Sequence, residues 1–306
     1  MTRKTLQALG LVLTAFAGAP LAAQIDGLIT LTDTPTGNDI VVTHAPDPVP
    51  ESASVQEQLG KIAETGSHFN EPVAIFQEKL CPGVMGLPVD IAETIVGRVR
   101  YNAERLGVPL AKKEGCKANL VIGFVGSGRS DVQKLDKQTG GLLSELKPDE
   151  RRALVNDTGP VHAWTVTSTR TRDGAYIHGD DRYGLTQTVN VQSGNSLFLL
   201  ATREDIELSV VLMDIPAIDG MTVNQLADYA TMRGLAKTKG VSGNNAYGTI
   251  LNLFDPDASH QTELSNFDRA YLTAIYSNMP NVVAAAKFAA VPGLMKKQLA
   301  ADEDRP

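Results

Sequence analysis

The fold class of this chain is decided by the stretch VDIAETIVGRVRYNAERLGVPLAKKEGCKANLVIGFV, residues 89–125. In its first part, residues 89–107, apolar side chains recur at helical spacing, and Gly107 and Pro109 end the pattern. Its last part, residues 118–125, is a short apolar run that is typical of a buried strand. A helix followed by a buried strand predicts an α+β fold in which helices pack against a mixed sheet.

Other segments extend this prediction over most of the chain. Helix or strand patterns occur at residues 148–155 (helix), 162–168 (strand that includes Trp164), 206–213 (strand), 221 onward (helix) and 281–300 (helix). Thr222 is expected to cap the fourth of these segments, and Pro292 to kink or split the last. We therefore expect a single α+β domain at residues 54–300, followed by a charged tail at 301–306.

The N-terminus has the three parts of a secretory signal peptide. Arg3 and Lys4 precede an apolar, uncharged stretch at residues 6–17, and small residues follow as far as Ala23. The apolar stretch is shorter than the roughly 18 residues that a membrane anchor needs. We expect residues 1–23 to be removed near Ala23, which predicts a periplasmic or secreted protein with no integral membrane segment after cleavage.

A segment dense in Pro, Thr and Asp follows at residues 24–53, and its composition predicts a flexible linker. Within it, the sequence DIVVT begins at Asp39 and ends at Thr43, and it resembles the TonB box by which outer-membrane transporters contact TonB. The resemblance implies a partner of the TonB system. The alternative is a β-prone tract in the linker.

The chain has two cysteines, Cys81 and Cys116, which flank the predicted helix at residues 89–107. In an oxidising compartment two thiols can pair, and neither cysteine lies in the C-x-x-C pattern of a reactive thiol. We expect a structural disulfide. Closing a loop of about 35 residues stabilises a fold by roughly 3–4 kcal/mol in the chain-entropy model.

Composition limits the classes of partner. The net charge is −7 and only 5% of the residues are aromatic, which is unlike a surface that binds polyanions or stacks on bases. No nucleic-acid partner is therefore predicted. An unknown protein or peptide partner is expected instead.

Motifs for cofactors, metals and nucleophiles are incomplete. The sequence GSGRSD at residues 126–131 lacks the spacing of a phosphate-binding loop, so Ser130 or Asp131 is expected to cap a helix after a tight turn. HGDDR at residues 178–182 has too few suitable ligands for calcium or zinc and is expected to be a solvated loop. The sequence thus predicts no cofactor, no metal site and no assigned catalytic residue. Two carboxylates for glycoside chemistry stay open, because Asp and Glu are abundant and the sequence does not show their distances in space.

Three segments near the C-terminus resemble the second half of zincin-type metallopeptidases. They are QLADYATMRGL at residues 225–235, GTILNLF at 248–254 and LSNFDRAYLTAIY at 264–276. In the metzincin type, a helix with H-E-x-x-H comes first, a short segment with the Met-turn follows, and a closing helix packs beneath. The stretch is similar to a group of exported bacterial proteins of this zincin-like type. The alternative is that these segments are ordinary amphipathic helices.

The resemblance implies a scaffold without its zinc ligands. The three histidine positions correspond to Ala227, Thr231 and Lys237, the glutamate becomes Asp228, and Leu251 replaces the methionine. Zinc needs about three nitrogen, oxygen or sulfur donors, which these residues do not supply.

The leading expectation for function is a non-catalytic periplasmic binding or accessory protein on a degenerate zincin-like fold. Two alternatives remain open. One is a periplasmic hydrolase, either a peptidase or a carboxylate-dependent enzyme with unassigned site residues. The other is a TonB-system partner that acts through the segment from Asp39 to Thr43.

Overall fold

The structure is a computed structural model that describes residues 49–64, 71–138, 141–177, 199–243, 245–277 and 279–303. The predicted signal peptide at residues 1–23, the TonB-box-like segment and the loop at 178–182 lie outside these residues. So does most of the predicted linker at residues 24–53.

A four-stranded mixed sheet lies at the centre of the described residues. Its strands are β1 (Pro82–Met85), β2 (Leu120–Val125), β3 (Val161–Thr171) and β4 (Thr202–Asp214). In the order β1-β2-β4-β3, the first three strands are parallel, and β3 pairs antiparallel with β4 at the edge. A parallel pair needs a crossover, and the helix predicted at residues 89–107 supplies the one between β1 and β2.

Helices surround the sheet. They are α1 (Ser52–Ile62), α2 (Val89–Arg105), α3 (Gly128–Asp136), α4 (Pro148–Asn156), α5 (Val223–Leu235), α6 (Asn266–Tyr276), α7 (Ala284–Ala289) and α8 (Val291–Glu303). Short 3-10 turns occur at Leu142–Glu145, Ile215–Ala217 and Ile250–Asn252. Each helix predicted from the sequence is present, within a few residues of its predicted bounds.

Both faces of the sheet are covered, which explains the nearly continuous apolar sequence of its central strands. On β4, Val211 and Met213 face a large core shared with α2 and α5, whereas Val210 and Leu212 face a smaller core under α3 and α4. Trp164 of β3 is buried in the smaller core. The described residues therefore form the predicted single α+β domain.

Helix boundaries follow local capping chemistry. Thr222 and Ser265 each form a capping box at the start of α5 and α6, so the predicted cap at Thr222 is confirmed. The cap predicted at Ser130 or Asp131 is wrong. Ser127 caps α3 instead and accepts a hydrogen bond from Ser130 N, because the turn after β2 is shorter than expected.

The C-terminal helical segment is split, as Pro292 suggested. The helix is interrupted at Ala290, between α7 and α8. Pro292 lies in the first turn of α8, where backbone N–H groups have no intrahelical acceptor, so its missing N–H does not weaken the helix. Helix α8 continues to Glu303, so it takes in the beginning of the predicted charged tail.

The disulfide between Cys81 and Cys116 is present, with a Cα–Cα distance of 6.1 Å. Cys81 directly precedes β1, and Cys116 lies between α2 and β2, so the bond joins the start of the crossover to its end. Among the helices of the described residues, none has the length and apolar character needed to cross a bilayer.

Candidate ligand-binding groove

Helix α5 carries three of the four positions that the sequence resemblance relates to the zincin motif, and these three are buried. Ala227, Asp228 and Thr231 have no exposed surface. The helix packs so closely on the sheet that a Cβ atom at Gly234 would lie 2.5 Å from a methyl carbon of Leu120. These positions face packed protein.

Hydrogen bonds already occupy the polar groups on α5. Thr231 Oγ1 donates to the carbonyl oxygen of Ala227 at 2.8 Å and accepts from Asn102 Nδ2 at 3.1 Å. Asn102 Nδ2 also donates to Asp228 Oδ1 at 2.7 Å. The structure thus brings Asp228 and Thr231 together through a side chain of α2.

Lys237 belongs to a different environment. It follows the C-terminus of α5, and its Nζ lies 2.5 Å from Glu150 Oε1 on α4. It is therefore linked to α4, whereas Asp228 and Thr231 are linked to α2. Within the described part of the chain, no three His, Cys, Asp or Glu side chains are grouped as a metal site requires.

The carboxylate of Asp228 is the centre of a buried polar cluster. Arg98 Nε and Nη2 donate to its two oxygens at 2.9 and 2.8 Å, and Leu264 N donates at 2.9 Å. The bidentate pairing fixes the plane of the Arg98 guanidinium. The hydrogen bond to Asp228 is also the main cause that raises the pKa of Arg98.

Arg98 also lines a groove at the surface, and the volume of this groove is about 610 Å³. One wall is α2, where Arg98, Tyr101 and Arg105 lie at positions i, i+3 and i+7 and therefore share a face. The Arg105 Nη1 group donates to Tyr101 Oη at 2.8 Å, and both guanidinium carbons lie within 6 Å of the Tyr101 ring centroid.

The opposite wall comes from α6 and α8. Arg269 of α6 donates to the carbonyl oxygen of Leu264 at 2.8 Å and lies 3.5 Å from Asp302 of α8. Gln298 of α8 also lines the groove. Three leucines supply apolar lining, namely Leu106, Leu264 and Leu272. Most of the groove lining is therefore polar or charged, and these leucines and Ala301 form its apolar part.

Two polar groups at the groove are incompletely paired. Arg105 has no carboxylate within salt-bridge distance among the described residues. The oxygen of the Gln298 amide is buried and accepts no hydrogen bond from any part of the protein that the structure describes. Such an acceptor is uncommon and calls for a partner.

The sequence interpretation did not identify these groove residues. Arg98 lies outside the apolar stripe of the helix pattern at residues 89–107. The spacing of Arg98, Tyr101 and Arg105 is a signal that sequence inspection can find, since it puts two cations and an aromatic ring on one helix face. The groove residues of α6 and α8 show no comparable spacing pattern in the sequence.

A second polar cluster lies on the other side of the sheet. His162 is fully buried, and neither ring nitrogen has a hydrogen-bond partner among the described residues. Burial lowers the pKa of His162, and its Nδ1 lies 3.8 Å from Asp157 Oδ2. A Cβ atom at Gly128 would lie 2.5 Å from the His162 ring, so the ring is packed tightly against the start of α3.

The chain was compared with models of protein families, with curated proteins and with solved structures, and none of these matches it. The candidate site of this protein is therefore the groove with the buried cluster around Asp228 behind it.

Proposed function

We propose that this protein is an exported, non-catalytic binding protein on a degenerate zincin-like scaffold, and that it binds its partner in the groove between α2, α6 and α8. One observation carries the proposal. Asp228, which stands where the zincin motif has its general base, is buried. Both of its oxygens accept hydrogen bonds from Arg98, which lines the groove.

The positions of the resemblance favour binding over zinc chemistry. Ala227 has no donor atom, Thr231 Oγ1 already makes two hydrogen bonds, and Lys237 carries a cation that would repel a metal. A general base needs a free oxygen within reach of a substrate proton. Asp228 has both oxygens engaged by Arg98, Asn102 and Leu264.

The contacts among the three resembling segments support the scaffold part of the proposal. Helix α5 contacts both the turn at Ile250–Asn252 and the closing helix α6. Asp268 of α6 holds that turn, because its carboxylate accepts from Thr249 Oγ1 at 2.6 Å and from Ile250 N at 2.8 Å. Burial raises the pKa of Asp268 to about 6, against the opposing effect of these donors.

The export part of the proposal rests on the signal-like sequence at residues 1–23 and on the disulfide. Disulfides persist in oxidising compartments and are rare in the cytosol. A protein cleaved near Ala23 would meet its partner in the periplasm or outside the cell.

The experiment is peptide binding by the mature chain, beginning at Gln24, with a groove variant and a matched control. Ala301 is exposed on α8 and lines the groove, whereas Ala153 is exposed on α4 and lies away from it. A mixed library of labelled peptides is followed by fluorescence anisotropy. We expect Ala301→Trp to weaken binding about tenfold or more, because the indole fills the groove, and Ala153→Trp to leave it within about twofold.

Thr273→Trp, from the α6 wall, serves as a second groove variant, and thermal melting verifies that each variant is folded. The same library is incubated with the wild-type protein and zinc, and cleavage is read by mass spectrometry. Cleavage that depends on the protein would contradict the non-catalytic proposal. Peptide binding that both tryptophan variants in the groove leave unchanged would show that the partner binds elsewhere.

A further inference from the structure

His162 lies where the start of β3, the start of α3 and the end of β4 meet, and it is sealed from solvent. It is the second residue of β3, and none of its surface is exposed. A Cβ atom at Gly128, the first residue of α3, would lie 2.5 Å from the ring carbon Cδ2 and 3.1 Å from Asp214 Oδ1. The first turn of α3 therefore covers the imidazole ring.

The ring of His162 is held without hydrogen bonds. Neither Nδ1 nor Nε2 has a partner among the described residues. A neutral imidazole has one N–H donor and one acceptor, whereas the protonated ring has two donors and no acceptor. The protonated ring therefore adds a full charge and a second unpaired donor to a site without solvent, and such burial is unfavourable.

The charges around His162 do not compensate for its burial. Burial lowers the pKa of His162 from its ordinary 6.5, although Asp157 and Asp214 oppose this effect. Asp157 Oδ2 lies 3.8 Å from Nδ1, and Arg129 of α3 lowers the pKa further. In an open site that water reaches, the ring has its ordinary pKa. Below pH 6.5 the open state thus binds more protons than the closed state, so acid favours opening.

Helix α3 is the element whose displacement would open the site. Gly128 N donates to Asp214 Oδ1 at 2.6 Å, and this bond joins the start of the helix to the end of β4. The helix has only nine residues, of which Val132 and Leu135 contribute side chains to the smaller core. Movement of its first turn would admit water to His162 while the strands stay paired.

We propose that His162 and the first turn of α3 form an acid-sensitive latch, which is closed at neutral pH and opens when the imidazole is protonated. Opening breaks the hydrogen bond between Gly128 N and Asp214 and exposes the apolar face of α3 to solvent. The latch lies on the other side of the sheet from the groove, so this inference does not depend on the proposed function.

Hydrogen exchange of the α3 amides in the mature chain, at pH 7.5 and pH 5.0, tests the latch. The intrinsic exchange rate at each pH is divided by the measured rate to give a protection factor. If the ring is protonated only in the open state, with a pKa of 6.5, the opening equilibrium rises by at most about thirtyfold over this range. We expect protection in α3 to fall about tenfold to thirtyfold, and to stay below that of α2 at both pH values because the opening is local.

His162→Gln should reduce this fall to less than about twofold, since an amide side chain does not titrate. His260→Gln is the matched control, because His260 is exposed, and it should leave the fall unchanged. The wild-type protein provides a measurement that needs no variant. The imidazole NMR signals of His162 should titrate below pH 6.5, and titration at 6.5 or above would contradict the latch.

Three results of the exchange experiment would overturn the proposal. Protection in α3 could change less than about twofold in the wild-type protein between the two pH values. The fall could also persist in His162→Gln, which would assign it to another group. Protection in α3 equal to that in α2 would show that the α3 amides exchange only by global unfolding.

Discussion

Asp228 shows how a single side chain can decide between two interpretations of a motif. The motif alone suggests a general base, but the four donors around this buried carboxylate indicate a structural ion pair. Arg98 remains partly exposed, with 23% of its side-chain surface accessible, and so links the buried cluster to the groove.

Asp228→Ala is expected to lower the free energy of unfolding by about 3 kcal/mol, because it removes the buried carboxylate that pairs with Arg98 and accepts from the Asn102 amide and Leu264 N. Urea denaturation of the mature chain measures this. Glu57→Ala is the control, since it breaks the exposed pair between Glu57 and Lys61, and no measurable change is expected. Equal effects of the two substitutions would show that Asp228 does not hold the cluster together.

Lys287 is a second buried charged residue with an unusual environment. Its Nζ donates to the carbonyl oxygen of Ile275 at 2.5 Å, in the last turn of α6, and no described carboxylate lies within salt-bridge distance. Burial lowers the pKa of Lys287 from 10.5 to about 8. Between these two values, the unfolded chain binds more protons than the folded chain, so stability rises with pH in that window.

Lys287→Met is expected to raise the free energy of unfolding by about 1–3 kcal/mol at pH 7, because it removes a buried ammonium group. The difference between wild type and variant should shrink from pH 8 to pH 10.5, as the wild-type lysine loses its proton in the folded state. Denaturation curves across this range measure it, with the exposed Lys297→Met as control. A difference that does not change with pH would contradict the assigned burial cost.

At the scale of elements, the strand β1 depends on one glycine. Gly86 directly follows β1 and has a φ of 88°, a conformation that L side chains rarely adopt. A Cβ atom there would lie 1.9 Å from the carbonyl oxygen of Phe124 on β2. The close approach of the two chains therefore requires glycine.

Gly86→Ala is expected to lower the free energy of unfolding by about 3 kcal/mol or more, through strain and the clash with β2. Gly97→Ala provides a matched control in α2, where a Cβ atom has no neighbour within 4 Å. That substitution should stabilise the protein by about 0.5–1 kcal/mol, since alanine favours a helix. Chemical denaturation distinguishes the two, and an opposite order of stabilities would refute the argument.

Elements with strong local patterns could be predicted from the sequence. The apolar stripe that includes Ile95 and Val99 predicts α2, and the apolar run that includes Leu120 predicts β2. The short strand β1 has no alternation that distinguishes it from a loop, and it becomes a strand only by pairing with β2. The cap of α3 at Ser127 was missed because Ser130 and Asp131 are equally good caps by residue type.

At the scale of the whole molecule, the candidate site joins parts that are distant in the chain. Its walls come from α2 and from α6 with α8, more than 150 residues apart. Local patterns predict each helix, but they contain no information on which exposed faces meet across a groove. The disulfide was predictable because two cysteines allow one pairing, whereas the unpaired oxygen of Gln298 depends on tertiary packing.

The central claim is that the groove between α2, α6 and α8 binds the partner, and hydrogen–deuterium exchange tests it most directly. The mature chain is compared with and without a saturating amount of the library peptide that binds most tightly. Amide protection is predicted in α2, α6 and α8, with α3 and α4 unchanged on the other side of the sheet. Protection confined to α3 and α4, or absent from α2 while the peptide is bound, would contradict the claim.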